Sequence, residues 1–312
     1  MTVKASTLKK NYFFDLFSSL LCLCLAALMI LLGESIKKGV VSGLSFSFMT
    51  LIPTLFPFFI LSDLWSSNFN IKEDGVIGRA FEKLFGINGT ALTSFLSGLV
   101  CGFPIGVKSA ACLYDAKKIS KEEFERLTGF VNNPSVAFII SGVGVGIFGD
   151  IYIGILLYVS IILSSVAVGI IFRKRLLIQQ NTAVISRQRF NLVNSIKNAG
   201  MTSIAVASYI VFFSGVVGIC ESFIKNELIL SLISSLLEVG SAARIIGELT
   251  NITQLSKLFF AAFALGFSGL SVHLQALSFF PEGASFKKYF LMKLIQGVLS
   301  AAIIIPLYHL FK

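Results

Sequence analysis

Long stretches without a charged residue recur along the whole chain. Each is close to the roughly 17–25 residues that an α-helix needs to cross the hydrocarbon core of a bilayer. Only 13% of the 312 residues are charged, against about 25% in soluble domains. Helices satisfy their own backbone hydrogen bonds in lipid, so the pattern predicts an all-α polytopic membrane protein with one transmembrane domain over 1–312. The eight windows are 16–33, 39–62, 84–107, 127–149, 151–172, 198–220, 258–281 and 294–311.

Two further segments depart from a plain membrane-spanning pattern. A ninth apolar stretch, 228–250, contains Glu238, Arg244 and Glu248, and we therefore do not expect it to face lipid along its whole length. The charged amphipathic stretch 72–85 is expected to lie at the membrane interface. The first window follows a basic N-terminus and lacks a clear small-x-small cleavage site, so we expect a retained helix and not a cleaved signal peptide.

The run 84–114 has an awkward length. As one helix it would be about 46 Å long, too long for a hydrocarbon core of about 30 Å and too short for two crossings. A re-entrant or broken element is therefore expected. Such backbone is tolerated at membrane depth only where it packs inside protein or lines a cavity. The expected helix breaks in this run are Gly102, Pro104 and Gly106.

The basic residues predict the topology. The segment 173–197 contains basic residues and no acidic ones, so we place this linker and the basic N-terminus in the cytoplasm. Both lie on one side only if 84–114 re-enters. The net charge of +10 is then explained by lipid head groups and not by nucleic acid.

The sequences before and after the linker are partly similar to each other, which predicts two inverted repeats over 40–172 and 198–312. The stretch beginning at Gly102 can be laid against the one beginning at Gly266, with Lys108 within one residue of His273. Interrupted hydrophobic segments at corresponding positions indicate the midplane site of a secondary transporter. Gly266 and Gly269 are the expected helix breaks of the second repeat.

Lys108 is the first candidate binding residue, because no other charged residue lies between Leu84 and Tyr114. An intramembrane lysine beside a broken helix can provide positive charge for an anionic substrate, assisted by free helix N-termini. The alternative is that its side chain snorkels toward the boundary near Asp115.

The other candidate substrate-binding residues are polar groups inside apolar segments. Each has an alternative structural interpretation: Arg244 as an intrahelical partner of Glu248, Glu238 as an interfacial residue, and His273 as a hydrogen-bonded core residue. The amides before Pro134 can bind a ligand or cap the next helix. The full set beside Lys108 is Asn132, Asn133, Ser135, Glu238, Arg244, His273 and Gln275.

The sequence offers no pattern typical of an enzyme. It has no Walker A loop, HExxH or G-x-S-x-G motif. The five cysteines lie in apolar segments without metal-ligand spacing, so they are interpreted as packing residues. We therefore expect no cofactor, no metal and no catalytic residue.

Three segments together resemble a known family. Residues 53–64, 101–149 and 267–278 are similar to the YlbJ (SpoVV) family of sporulation integral membrane proteins, within the wider nucleoside-recognition (Gate) group. The resemblance covers roughly 40–310. It implies a transporter that moves dipicolinic acid across the outer forespore membrane of a spore-forming bacterium.

The expected partners follow from this resemblance. They are a small anionic substrate (dipicolinate) and the lipid bilayer, with no nucleic acid; a homo-oligomer is left open. Two alternatives remain at this point. One is a transporter of a neutral, nucleoside-like substrate recognised by Asn132, Asn133 and Gln275. The other is a membrane scaffold of spore envelope assembly, in which the polar residues serve helix packing.

Overall fold

The structure, a computed structural model, describes residues 30–68, 75–174 and 191–311, and before them the single positions 16, 19, 20, 23, 26 and 27. Side chains of 62–68 are not described. Three further parts of the chain also lie outside the described residues: eight residues of the predicted first helix, residues 72–74 of the amphipathic stretch and residues 175–190 of the basic linker. Within the described ranges the chain is helical and contains no strand. The prediction of an all-α polytopic membrane fold is confirmed.

The first half of the chain begins with one long helical run. It comprises α1 (Gly33–Phe46), a π-helical turn (Ser47–Leu51) and α2 (Ile52–Asn68). The elements that follow are α3 (Val76–Phe85), a 3₁₀ turn (Gly89–Ala91), α4 (Leu92–Val100), α5 (Ile105–Asp115), α6 (Lys121–Val131), a π-helical segment (Phe138–Val145) and α7 (Ile151–Ile171).

The second half also begins with a long helix. It comprises α8 (Leu192–Phe223), α9 (Glu227–Leu237), α10 (Val239–Glu248), α11 (Gln254–Phe267), α12 (Gly269–Leu277) and α13 (Phe286–Leu310).

Five helical runs in the described part of the chain are long and apolar enough to cross a membrane. They correspond to five of the predicted windows, whereas 84–107 and 127–149 are each divided between two shorter helical pieces. The five runs are Gly33–Leu61, Ile151–Ile171, Leu192–Phe223, Gln254–Leu277 and Phe286–Leu310.

Helices α4 and α5 form an antiparallel hairpin within the run 84–114, for which a re-entrant or broken element was expected. The Ser94 and Ser109 hydroxyls lie 2.9 Å apart, and Gly98 lies against Gly106. Both pairs are centred on the connection at 101–104. At about 1.5 Å per residue, neither helix can cross a 30 Å core alone. The hairpin therefore enters and leaves on the same face, as a re-entrant element does.

Two of the predicted helix breaks are wrong. Gly106 lies in the first turn of α5, and Gly266 lies in the last turn of α11. Both glycines allow close helix packing instead: Gly106 faces the carbonyl of Val131, and Gly266 faces Ser300 and Gly297. Sequence alone does not distinguish these two uses of glycine, because both require a missing side chain.

Each re-entrant tip lies against the break of a divided helix. In the first half, Gly102 (φ +80°) lies so close to Ser135, in the break after α6, that a Cβ would meet its backbone. In the second half, Gly269 (φ +74°), at the break after α11, faces Leu237 and Glu238 between α9 and α10 in the same way. Both glycines adopt backbone angles that side chains disfavour.

These contacts change the correspondence between the halves. By element order, the counterpart of the 101–104 tip is Glu238, and the counterpart of the break at Ser268 is 132–135. The sequence alignment of the stretches beginning at Gly102 and Gly266 instead pairs a hairpin tip with a helix break. The inverted repeat itself stays a prediction.

Polar contacts connect loops and helix ends at two opposite faces of the helix bundle: the linker face, next to the basic linker, and the distal face, at the other end of α8. At the linker face, Lys174 pairs with Glu122 (2.7 Å) and holds the pKa of that carboxyl below its usual value. There Glu125 also accepts a hydrogen bond from the Ser285 amide (2.8 Å). At the distal face, Lys38 lies 3.9 Å from Glu221. Hairpin α4–α5 starts from the linker face. Helices α9 and α10 form a second hairpin, which follows the distal end of α8 and ends at the distal face, so the two hairpins enter from opposite sides.

The amphipathic helix α3 packs on the linker-face end of the bundle. Phe81 and Phe85 are buried among aromatic side chains, and the Phe85 ring stacks on Phe130 with centroids 4.9 Å apart. Val76 and Ile77 are exposed. This arrangement agrees with the interfacial helix predicted from the sequence.

Candidate functional site

A cavity of about 240 Å³ lies between the two halves of the chain. We call it the Arg244 cavity. The first half contributes α1, the π-helical turn and the π-helical segment, and the second half contributes α8 and α10. Its lining residues are Ser42, Gly43, Phe46, Thr50, Gly142, Gly146, Ile147, Ser214, Gly240, Ser241 and Arg244.

A smaller cavity of about 70 Å³ adjoins it toward the distal face. The two share Ser42, Ser214, Ser241 and Arg244, and the smaller one adds Lys38 and Glu221. Together they present small hydroxyl side chains, one aromatic ring and two cationic groups. A few polar groups in a concave site between helices are typical of small-molecule binding.

The long helices α1 and α8 cross closely beside the two cavities. A Cβ at Gly39 would overlap the Ser214 carbonyl, and a Cβ at Gly218 would overlap the Ser35 carbonyl. Small residues at a helix crossing let backbones approach without side chains between them. The Ser214 hydroxyl of α8 lies 3.1 Å from the Ser241 hydroxyl of α10.

Glu238 closes the N-terminal end of α10 beside the Arg244 cavity. It is 1% exposed, and its carboxylate accepts hydrogen bonds from the amides of Gly240 (2.8 Å) and Ser241 (2.5 Å). A carboxylate at a helix N-terminus satisfies free N–H groups and the helix dipole. The predicted binding residue Glu238 therefore acts as a helix cap in this structure.

Arg244 points from α10 into both cavities and is shared between two carboxylates. Its guanidinium contacts Glu221 of α8 (3.1 Å) and Glu248 one turn away (3.2 Å), and its side chain is 39% exposed. The intrahelical pair suggested by the sequence is thus present. The contact with Glu221 joins it to a second helix.

A second polar cluster, which we call the Lys293 network, lies at the break after α6. Lys293 of α13 is fully buried, and its ammonium donates to the Asn132 carbonyl oxygen and to Gln296 Oε1, both at 2.8 Å. Gln296 donates to Asn133 Oδ1 at 2.7 Å, and Asn133 donates to Ser165 Oγ of α7 at 3.2 Å. Both asparagines of the break are therefore held by α13 and α7.

The network continues to the second half's divided helix. Asn132 Nδ2 donates to the Tyr289 hydroxyl at 2.7 Å, and that hydroxyl lies 3.1 Å from His273 Nδ1. Among the described residues, several buried polar atoms have no hydrogen-bond partner, namely Asn132 Oδ1, His273 Nε2 and both side-chain polar atoms of Gln275. Such atoms are uncommon in folded proteins and indicate a ligand, water or a second state.

Comparison with known proteins finds similarity to a sporulation membrane protein. The chain is 28% identical over 311 aligned residues to the sporulation integral membrane protein YlbJ of Bacillus subtilis (strain 168), covering 86% of this chain and 76% of that protein. This chain is similar to YlbJ over most of its length. The resemblance seen in the sequence is confirmed at that level. No family model and no solved structure matches the chain, so membership of the wider Gate group stays a prediction.

The structure separates the residues that the YlbJ resemblance and the charge pattern had grouped. Arg244 lines the cavities, whereas Asn132, Asn133 and His273 belong to the Lys293 network. Ser135 caps the π-helical segment by accepting from the Phe138 amide at 3.1 Å. Gln275 is buried.

Lys108, the leading candidate from the sequence, lies in neither group. It is half-buried in the middle of α5, and it lines neither cavity. Among the described residues, the buried cations are Lys293 and Arg126, and Arg244 lies at the cavity wall.

Sequence reasoning missed Tyr289 and Lys293 because the last apolar window was taken to begin after Lys293, and it did not single out Gln296 inside that window. A signal was available. Tyr289, Lys293, Gln296 and Ser300 follow one another at spacings of four, three and four, which places them on one face of a helix. A polar stripe on an otherwise apolar membrane helix predicts contact with protein and not with lipid.

Proposed function

We propose that this protein is a secondary transporter of a small organic anion, most specifically dipicolinate, in a membrane of a sporulating bacterium. The name of the B. subtilis relative and the similarity to it over most of this chain support a membrane role in sporulation. Dipicolinate and the outer forespore membrane come from the family resemblance. In this proposal the protein is not an enzyme and uses a gradient as its energy source.

The Arg244 cavity is the observation that carries the proposal. It lies between helices of both halves, beside a re-entrant hairpin and the segment that follows a helix break. Secondary transporters bind substrates at such interfaces, where two groups of helices can move against each other. A cavity with an arginine inside a membrane protein favours an anionic ligand over a cationic one.

The donor set suits a planar aromatic dicarboxylate. Arg244 and Lys38 supply two cations, Ser42, Ser214 and Ser241 supply hydroxyl donors, and Phe46 offers an aromatic surface. Glu221 is the one group in this set that opposes an anion. A bound carboxylate would therefore compete with Glu221 for the Arg244 guanidinium.

A neutral nucleoside is the second candidate substrate. It is favoured by Gln275, whose buried amide has no hydrogen-bond partner among the described residues. Nucleosides are recognised through such amides, which both donate and accept. Arg244 would then serve only in its ion pairs.

The deciding experiment is uptake of labelled dipicolinate into proteoliposomes that contain the purified protein, with unlabelled dipicolinate or uridine as competitor. We expect uptake that unlabelled dipicolinate inhibits and uridine does not. Labelled uridine is tested in parallel: uptake of uridine without uptake of dipicolinate would favour the nucleoside, and the absence of both activities would favour the scaffold.

Replacing Glu221 by glutamine is expected to strengthen dipicolinate binding. The change removes the carboxylate that competes for Arg244 while keeping the side-chain shape. Because a partly exposed ion pair is worth about 0.2–1 kcal/mol, we expect the apparent KM for uptake to fall by a factor of about 1.4 to 5. Glu227→Gln, on α9 at the distal face, is the matched control because Glu227 lines neither cavity. An unchanged or increased KM in Glu221→Gln would contradict binding at Arg244.

A further inference from the structure

Lys293 occupies the position that a bound cation takes in a divided transporter helix. Helix α6 ends at Val131, and the Lys293 ammonium contacts the next carbonyl oxygen, that of Asn132, at 2.8 Å. The C-terminal end of a helix carries partial negative charge. In transporters, such half-helix ends and unwound carbonyl groups coordinate the coupling Na⁺ or H⁺.

The other atoms around Lys293 strengthen this likeness. Gln296 Oε1 lies 2.8 Å from the ammonium, and the next groups in the network are Asn133 Oδ1 and Ser165 Oγ. These neutral oxygens are ligands typical of a monovalent cation. The side chain of Lys293 supplies that cation from within the chain.

We propose that the proton carried by Lys293 is the coupling ion of this transporter. The inference rests on the proposed transport function and adds to it the identity of the ion. Lys293 would be protonated when the substrate anion is bound and would release its proton on the opposite side of the membrane. Transport would then follow a pH gradient and be independent of sodium.

The geometry can accommodate both protonation states of Lys293. The amine has two acceptors, the Asn132 carbonyl and Gln296 Oε1, and a neutral amine has two N–H donors to match them. An ammonium has a third donor, for which no acceptor is found among the described residues. No carboxylate of the described residues lies within ion-pair distance to hold the charge permanently. A fully compensated structural lysine would have such a partner.

The charged and titratable groups around Lys293 are few. His273 of α12 is close enough to sense its charge, and Tyr289 belongs to the same helix. Around Lys293 itself, α6, α7 and α11 present uncharged groups, namely Asn132, Asn133, Ser164, Ser165 and Gly266. The charged group that α6 presents to α13 is Glu125, which lies 3.8 Å from Lys288. Lys293 is therefore the candidate proton carrier of this network.

The network is physically connected to the Arg244 cavity. Lys293 and Gln296 hold the break at 132–133, and the π-helical segment that starts at Phe138 leads directly to Gly142 and Gly146 in the cavity wall. Weakening the contacts at the break changes how firmly this wall is held. A charge-assisted hydrogen bond is stronger than a neutral one, so proton loss from Lys293 would loosen the break.

Hydrogen exchange tests the proton switch without substrate. After correction for intrinsic chemistry, amides 133–146 of the wild type should exchange faster as pH rises. Lys293→Arg should lack this dependence because arginine stays protonated. Lys287→Met, an exposed position on the same helix, should behave like the wild type. Identical pH dependence in wild type and Lys293→Arg would overturn the inference.

Transport assays test the coupling and separate it from substrate binding. In wild-type proteoliposomes, a gradient of one pH unit, acidic on the substrate side, should give up to about tenfold dipicolinate accumulation for one proton per substrate. A sodium gradient should give none. In Lys293→Arg, we expect dipicolinate counterflow, in which the transporter exchanges labelled for unlabelled substrate, to be retained. Accumulation driven by the pH gradient should be lost.

The possible failures are distinguishable. If wild-type proteoliposomes show no dipicolinate counterflow, the proposed substrate is refuted. The hydrogen-exchange comparison of wild type and Lys293→Arg then decides the role of Lys293. Sodium-driven accumulation, or pH-driven accumulation that persists in Lys293→Arg, refutes proton coupling while leaving transport intact. Should Lys293→Arg not fold, a pH dye outside wild-type vesicles decides, since dipicolinate uptake without proton movement refutes the inference.

Discussion

Arg244→Met is expected to reduce dipicolinate uptake by about 30-fold or more at substrate concentrations below KM. Arg244 is the cation that lines both cavities, and its guanidinium can bind a carboxylate through two parallel hydrogen bonds. Losing one partner of a hydrogen-bonded charge pair costs about 2–5 kcal/mol. Methionine keeps an unbranched side chain of similar reach but offers neither charge nor donors.

The fold should survive this replacement. The ion pairs of Arg244 are partly exposed, and such pairs contribute about 0.2–1 kcal/mol to stability. Glu221 also keeps Lys38 as a partner at 3.9 Å. We therefore expect the midpoint of thermal unfolding in detergent to change little. A large fall in that midpoint would mean that lost folding, and not lost binding, explains the lost uptake.

Lys108→Met is the matched comparison, because the sequence and the structure disagree about this residue. The sequence predicts that Lys108 binds the anion, whereas the structure places it outside both cavities. Uptake that persists in Lys108→Met and disappears in Arg244→Met would locate the site at Arg244. The reverse result would restore the sequence-based prediction and reject the Arg244 cavity.

Gly98→Ala is expected to destabilise the protein by about 2 kcal/mol or more. A Cβ at Gly98 would overlap the Val131 carbonyl oxygen and lie 3.3 Å from the Gly106 Cα atom. Both obstacles are backbone, so no side chain can move aside. Overpacking of this kind typically costs about 1–3 kcal/mol, and the affected carbonyl directly precedes the break at Asn132.

Gly200→Ala provides the control in α8. Nothing lies within 4 Å of a Cβ built at Gly200, and alanine is the better helix former by about 1 kcal/mol. We expect the unfolding midpoint in detergent to fall for Gly98→Ala and to stay constant or rise for Gly200→Ala. Equal midpoints for the two variants would show that hairpin α4–α5 does not pack as described.

Lys293 illustrates why part of the candidate site escaped prediction. Its sequence position, seven residues into α13, looks like a membrane boundary because Lys287 and Lys288 precede it. The structure buries it, because the break after α6 presents the Asn132 carbonyl oxygen to this point of α13. These two residues are 161 positions apart, so no local pattern relates them.

The sequence by itself determined the class of the protein and much of its chain organisation. The length of uncharged segments dictates which can cross a bilayer, and the run 84–114 has a length that only a broken element can satisfy. The family resemblance also depends on sequence alone. Each of these conclusions rests on residues that are neighbours in the chain.

Only the tertiary structure decided which polar residues meet. It joins Asn132, Tyr289 and His273 in one hydrogen-bonded network. It places Glu238 as the cap of a helix N-terminus. It brings Ser42, Ser214 and Arg244 together around a cavity. The reason is that helix periodicity predicts the face of a residue but not its partner. The partner depends on how closely helices cross, which here follows from backbone contacts at Gly39, Gly98 and Gly218.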